Sequence, residues 1–184
     1  MKPTEQLREE HEGIKLMLKI MDSVCGKFIS ARELNHEHFT KILEFLKVFV
    51  DKCHHGKEED LLIPAMIEAG IPKNKGAIEF TLLEHKEGRG YIKNMSEAFE
   101  KLKKGDSGDS KIIVENGKKY SDLLVKHIEK EESILYLMAD KVLSHEKQDE
   151  LIEEFEKLEV DRIGPGKHEE FHELLHHLNE VYLD

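Results

Sequence analysis

His54-His55-Gly56-Lys57-Glu58-Glu59-Asp60-Leu61-Leu62 and His127-Ile128-Glu129-Lys130-Glu131-Glu132-Ser133-Ile134-Leu135 are two copies of one pattern, 73 residues apart. Upstream of each copy stands a shorter pair, Glu10-His11 and Glu84-His85, at an offset of 74. A His and a Glu four residues apart lie one turn apart on the same side of a helix. Both side chains then face one spot, and the nearly constant offset describes two helical hairpins, each supplying one lone His and one His-x-x-x-Glu.

Working outward, breaker residues divide the chain into six helices. Thr4 can cap a first helix reaching about Ser30, and a second runs from about Glu37 to Glu68. Gly70-Ile71-Pro72 ends it, a third spans about Asn74 to Lys103, and Lys104-Gly105-Asp106-Ser107-Gly108 is the plainest break. Asp109 or Ser110 can cap a fourth helix to about Leu143, and Ser144 caps a shorter one to about Val160. Gly164-Pro165-Gly166 precedes a last helix ending near Tyr182. No alternating β-branched run reads as strand. The predicted fold is all-α: an antiparallel up-down four-helix bundle (4–143) with two additional C-terminal helices (144–184), forming one domain over 1–184.

The buried seams follow from apolar spacing. Leu7, His11, Ile14, Leu18, Met21, Cys25 and Phe28 make the first. Leu43, Val50, His54, Glu58, Leu61 and Ala65 make the second, and Ile78, Leu82, His85, Arg89, Ile92 and Phe99 the third. Ile113, Tyr120, Leu124, His127, Glu131, Ile134 and Met138 make the fourth. Each long helix carries its polar anomaly near the middle of its buried face.

Composition narrows the function. The 184 residues are 36% charged, with a net charge of −11, so neither nucleic acid nor an anionic membrane is the expected partner. No apolar stretch reaches the roughly 20 residues of a membrane span, and MKPTEQLREEHEG lacks the apolar core of a secretory signal. Two cysteines, Cys25 and Cys53, are too few for a disulfide scaffold and fit reduced thiols in a cytoplasmic protein. Nucleotide-binding and nucleophile-elbow motifs are absent.

His11, His54, His85, His127, Glu58 and Glu131 therefore point to one place in the core. Unpaired, such groups cost several kcal/mol to bury. Hydrogen bonding among them without a metal is the bland alternative. Two metal ions fit the stoichiometry better, with two imidazoles for each and both carboxylates bridging, and this donor set suits iron or manganese. His55 with Glu59 is a competing pair, but Ile128 stands opposite His55 in the repeat and cannot bind metal. His54 with Glu58 is therefore preferred, leaving His55 as a supporting donor or an additional ligand. Tyr120, about two turns before His127, is a supporting candidate, or else an ordinary core residue. Gly13, Gly56, Gly88 and Gly90 crowd the site, for close helix approach or a gas-sized pocket. The stripe His168, His172, His176 reads chiefly as the outer face of a packed helix.

The order His…His-x-x-x-Glu…His…His-x-x-x-Glu, with KEE after each paired His, resembles the hemerythrin-like HHE cation-binding domain. The resemblance covers roughly residues 4 to 143. It implies a four-helix bundle around a non-haem di-iron centre, with His11, His54, His85 and His127 as terminal ligands and Glu58 and Glu131 as bridges. Oxygen-carrying members place a fifth His where this chain has Arg89. An Arg cannot ligate, so Arg89 is expected to pair with a carboxylate and leave the metals with open positions. The implied ligand is O2, NO or peroxide, bound for sensing, scavenging or storage. The alternative is a di-iron enzyme such as a peroxidase, an oxidase or an NO-detoxifying protein.

Overall fold

The structure, a computed structural model, describes residues 1–106 and 109–183. Ser107 and Gly108, part of the predicted break after the third helix, lie outside the described residues. The described residues form six helices and no strand: α1 (Pro3–Ala31), α2 (36–68), α3 (Ala77–Lys103), α4 (110–142), α5 (His145–Ile163) and α6 (Lys167–Tyr182). Helices α1 to α4 pack in a ring, α1 on α2, α2 on α3, α3 on α4 and α4 on α1. Helix α5 lies against α2 and α1, and α6 against α1 and α2, so the C-terminal pair runs along one flank. No helix among the described residues is long and apolar enough to cross a membrane.

Helix ends follow local chemistry. Gly70 (φ 100°), Gly164 (φ 89°) and Gly166 (φ 79°) take positive φ at the breaks read from sequence. Ser144 Oγ accepts from Lys147 N–H at 3.2 Å as the predicted cap of α5. Two starts differ. Helix α1 begins at Pro3, a residue suited to the first helical position, so Thr4 lies inside the first turn and its hydroxyl donates to Asp140 Oδ1 at 2.7 Å. Helix α3 begins at Ala77 rather than Asn74, because Gly76 (φ 69°) closes the preceding turn.

The larger departure is inside α2 and α4. Leu46–His55, Glu58–Leu62 and Glu131–Leu135 are π-helical, bonding i to i+5. The wider turns shift the inward face by a residue. Leu62, Ile63 and Met66 are buried while Leu61 of the predicted seam is only partly so. In α4, Leu135, Tyr136 and Ala139 are buried, whereas the predicted Ile134 is 47% exposed. The third seam also needs correction, since Ile78, Thr81, His85, Gly88, Ile92, Met95 and Phe99 face inward and Arg89 stands on its flank. Gly88 sits where a Cβ would meet Tyr120 Cε2 at 3.3 Å, which is how α3 and α4 come close. Gly90 faces open space, so the four glycines have no common purpose.

Apolar burial forms two clusters. One gathers Ile14, Leu18, Phe45, Phe49, Ile92, Tyr120 and Leu124 with Phe171 and Leu175 of α6. The other gathers Leu7, Leu62, Met66, Ile78, Leu135 and Tyr136 with Leu151 and Phe155 of α5. Along all four long helices the His and Glu anomalies fall between members of these clusters.

Both thiols are buried and unpaired. Burial, with Asp22 adding to it, pushes the Cys25 thiol up to about 11, and burial pushes Cys53 up to about 12. Since the thiolate is the reactive form, native protein at pH 8 is expected to resist a soluble thiol reagent and to label at both cysteines once unfolded in guanidinium. Rapid labelling of two thiols in the native protein would contradict the packing.

Candidate metal centre

A single buried layer collects the polar side chains. Helix α1 delivers His11, α3 delivers His85, α2 delivers His54, His55 and Glu58, and α4 delivers His127 and Glu131, all at most 3% exposed. Because α2 is π-helical up to His55, the adjacent His54 and His55 both turn inward. Two groups result, each with donor atoms within 4.8 Å of one another: His55, Glu58, His85 and His127, and His11, His54, Glu58 and Glu131. Glu58 belongs to both.

The inner distances carry a signature. Glu131 Oε1 lies 3.0 Å from His127 Nε2 and 3.6 Å from His85 Nε2, while its Oε2 lies 3.2 Å from His11 Nε2. Glu58 Oε2 lies 3.3 Å from His85 Nε2 and 3.8 Å from His54 Nε2. Donors about 2.1 Å from one ion and at right to tetrahedral angles stand about 3.0–3.4 Å apart. Both nitrogens of His55, Oε2 of Glu58 and both oxygens of Glu131 are buried without a hydrogen-bond partner. A buried carboxylate oxygen without a hydrogen bond is among the costliest groups a core can hold. The donor set and these orphaned atoms fit metal cations.

The opposite edge of four of the five imidazoles is held by a carboxylate. His11 Nδ1–H donates to Glu132 at 2.9 Å, His54 to Glu10 at 2.8 Å, His85 to Glu59 at 2.7 Å and His127 to Glu84 at 2.9 Å. A carboxylate only accepts, so Nδ1 carries a proton and Nε2 is the atom turned inward, the arrangement that orients metal-binding histidines. Each outer carboxylate in turn meets a cation: Lys15 on Glu132 at 3.1 Å, Lys57 on Glu10 at 2.5 Å, Arg89 on Glu59 at 2.6 Å, and Lys130 on Glu84. The repeat is thus explained residue by residue. In Glu-His…His-x-x-Lys-Glu-Glu, the first Glu and the Lys brace the paired His of their own hairpin. The last Glu braces the lone His of the other hairpin.

The model of the hemerythrin HHE cation-binding domain matches residues 2–139. The chain belongs to that family. No curated protein and no solved structure matches it.

In this hemerythrin-type domain several residues stand elsewhere than expected. Arg89 leaves the layer and donates from Nε to Asp51 at 2.7 Å and from Nη2 to Glu59, so its partners are outer carboxylates. Tyr120 is buried under Gly88 in the larger apolar cluster, its hydroxyl unpartnered. The tyrosine that touches the layer is Tyr136, whose hydroxyl donates to Glu58 Oε1 at 2.6 Å and lies 3.2 Å from His11 Nε2. Residue patterning missed it because the π-helical turn that brings it inward leaves no mark on a seam counted in α-helical steps. Glu10, Glu59, Glu84, Glu132 and Lys57 were also missed as partners, although the repeat contains all of them.

The local field follows this layout. Burial alone lowers His85 and His127, but for His85 the Glu131, Glu58 and Glu59 carboxylates lift it well above the usual range. Glu131 with Glu84 lifts His127 to about 9. Burial raises Glu131, yet His127, His11 and His85 together hold it well below the ordinary carboxylate range. His55 is the exception: burial and the neighbouring His85, stacked on it with ring centres 3.8 Å apart, push it well down, so it stays neutral with one ring nitrogen offering a lone pair.

Lys57 and Lys130 occupy equivalent places in the repeat but different surroundings. Lys57 is fully buried between Glu10 and Glu159 of α5, whereas the Lys130 side chain is 45% exposed. Lys57→Met strands two carboxylates and is expected to cost about 3–5 kcal/mol in urea denaturation. Lys130→Met is expected to cost less than about 1 kcal/mol. Equal losses would mean that the outer cations act alike despite their burial.

Proposed function

We propose that this protein is a hemerythrin-like binder of a small oxidant, O2, NO or peroxide, at a carboxylate-bridged dinuclear non-haem iron centre, with manganese as the alternative metal. Within this reading His11 and His54 hold one ion, His85 and His127 the other, and Glu58 and Glu131 bridge them. His55, on the side of His85 and His127, is an additional terminal donor in place of the histidine that Arg89 displaces. Helices α1 to α4 form the up-down antiparallel bundle of a single domain that includes α5 and α6. The cytoplasm is its compartment, in keeping with two buried, unpaired thiols.

The observation that carries the reading is the set of buried nitrogen and oxygen atoms on His55, Glu58 and Glu131 with no hydrogen-bond partner. Five imidazoles and two carboxylates meet the preference of iron and manganese for nitrogen and oxygen donors, and the two negative charges offset much of a dication pair. Ions bound there would supply Lewis acidity and an exchangeable electron. The chain's residues do the rest. Outer carboxylates fix the aim of His11, His54, His85 and His127. The apolar clusters on either side keep bulk water and large molecules from a layer no more than 3% exposed. That enclosure favours a ligand of two or three atoms over a larger substrate.

Elemental analysis of anaerobically purified protein tests this first, with two irons per chain expected. Glu58→Ala and Glu131→Ala are each expected to lose at least one of them and to lower the melting temperature. Two retained metals in both variants would sink the bridging assignment. Removing the metal with a chelator is expected to destabilise the wild type as well, since ions bound only by the folded chain stabilise it by mass action. In stopped flow, the diferrous form mixed with O2 is expected to give an adduct that reverses under vacuum. Prompt irreversible oxidation with peroxide turnover would favour the enzyme.

A further inference from the structure

The two hairpins differ at two places in the layer, and each difference adds one donor. His55 stands where the second copy of the repeat has Ile128, and Tyr136 stands where the first copy has Ile63. His55 joins His85 and His127. Tyr136 joins the opposite side, its oxygen 3.2 Å from His11 Nε2 and 2.6 Å from Glu58 Oε1. The 3.2 Å to His11 falls among the separations of the His and Glu donors, and the 2.6 Å to Glu58 is that of a hydrogen bond that ligation would replace.

We propose that Tyr136 is itself a metal ligand, a phenolate oxygen completing the position formed by His11 and His54 as His55 completes the one formed by His85 and His127. The proposal rests on the dinuclear reading above. It gives each ion three terminal donors and a share of two carboxylates, with unlike chemistry: three imidazoles at one ion, two imidazoles and a phenolate at the other.

Three features point beyond an ordinary core tyrosine. The side chain is fully buried, and its hydroxyl meets the layer rather than a backbone carbonyl. It arrives there through the π-helical turn Glu131–Leu135, a rare conformation concentrated at functional sites. Its ring is held by two neighbours, stacked on His11 at 13° with ring centres 5.5 Å apart and covered by the Arg8 guanidinium at 5.3 Å. The oxygen is therefore aimed. As a simple hydrogen-bond donor, Tyr136 satisfies Glu58 Oε1 and leaves all three orphaned oxygens, Glu58 Oε2 and both of Glu131, without a bond. Ligation exchanges the O–H bond for a metal–oxygen bond and releases one proton, with the oxidation state of the metal unchanged.

The test is spectroscopic. Full-length protein loaded anaerobically with two equivalents of ferrous iron and then oxidised with ferricyanide is examined by visible absorption and resonance Raman. A phenolate-to-iron charge-transfer band with enhanced tyrosinate ring vibrations is expected. Both should vanish in Tyr136→Phe while iron content stays near two. They should persist in the triple variant Tyr91→Phe, Tyr120→Phe, Tyr182→Phe, which leaves Tyr136 as the only tyrosine and does not depend on Tyr136→Phe folding. Two irons without tyrosinate vibrations in the wild type, or vibrations that disappear in the triple variant, would overturn the ligand and leave Tyr136 a donor to Glu58. A wild type that takes up no iron overturns the dinuclear reading, and this proposal with it.

Discussion

Two carboxylates and five imidazoles in the dry middle of a helical core form the constraint on which the rest of the molecule depends. Burying such groups unpaired costs more than a domain of this size can supply, so every layer around them compensates. The imidazole Nδ1 edges face four outer carboxylates, and those face Lys15, Lys57, Arg89 and Lys130. Charge therefore alternates outward in shells from the centre of the layer to the surface. What the shells do not satisfy is the innermost set of lone pairs, and a cation-binding domain is the natural owner of such a remainder.

The shells are symmetric in plan and asymmetric in execution. On the α5 side, Glu159 and the ring of Phe155 close over Lys57, so the Glu10–Lys57 pair is sealed from water. There burial raises the Glu10 carboxyl, but His54 and Lys57 outweigh it and hold it down to about 2. On the other side, the Glu84–Lys130 pair is open to solvent and screened. The C-terminal helices thus do more than add mass, because they convert one of two equivalent braces into a rigid, desolvated one. The histidine stripe of α6 has a modest part in this: the ring of His168 packs on Phe49 and lies near Glu10 and Glu159.

Much of the architecture was legible in the sequence because helices write their buried faces periodically. The six helices and their breaks at Gly70, Gly164 and Gly166 followed from glycine conformational freedom and apolar spacing. The seam of α1 is buried from Leu7 through Cys25 as its spacing implies. The repeat by itself places His11, His54, His85, His127, Glu58 and Glu131 at one level of the bundle, since i and i+4 residues share a face.

The misses have one physical cause. Counting in α-helical steps assumes a constant twist, and α2 and α4 widen into π-helical turns beside the layer. That turn made His54 and His55 look like rivals when both face inward. It also pointed to Ile134 where Leu135 and Tyr136 lie, and so concealed the tyrosine that meets Glu58. Arg89 was assigned to the core by spacing, yet its charge is satisfied only outside the layer, at Asp51 and Glu59. Sequence by itself determined the helices, the repeat and the residue types that had to meet, because periodicity and chemistry are local. Tertiary structure decided which carboxylate braces which histidine and which oxygens remain unpaired. Those outcomes depend on helix twist and on partners 26 to 125 residues away in the chain, which no local pattern encodes.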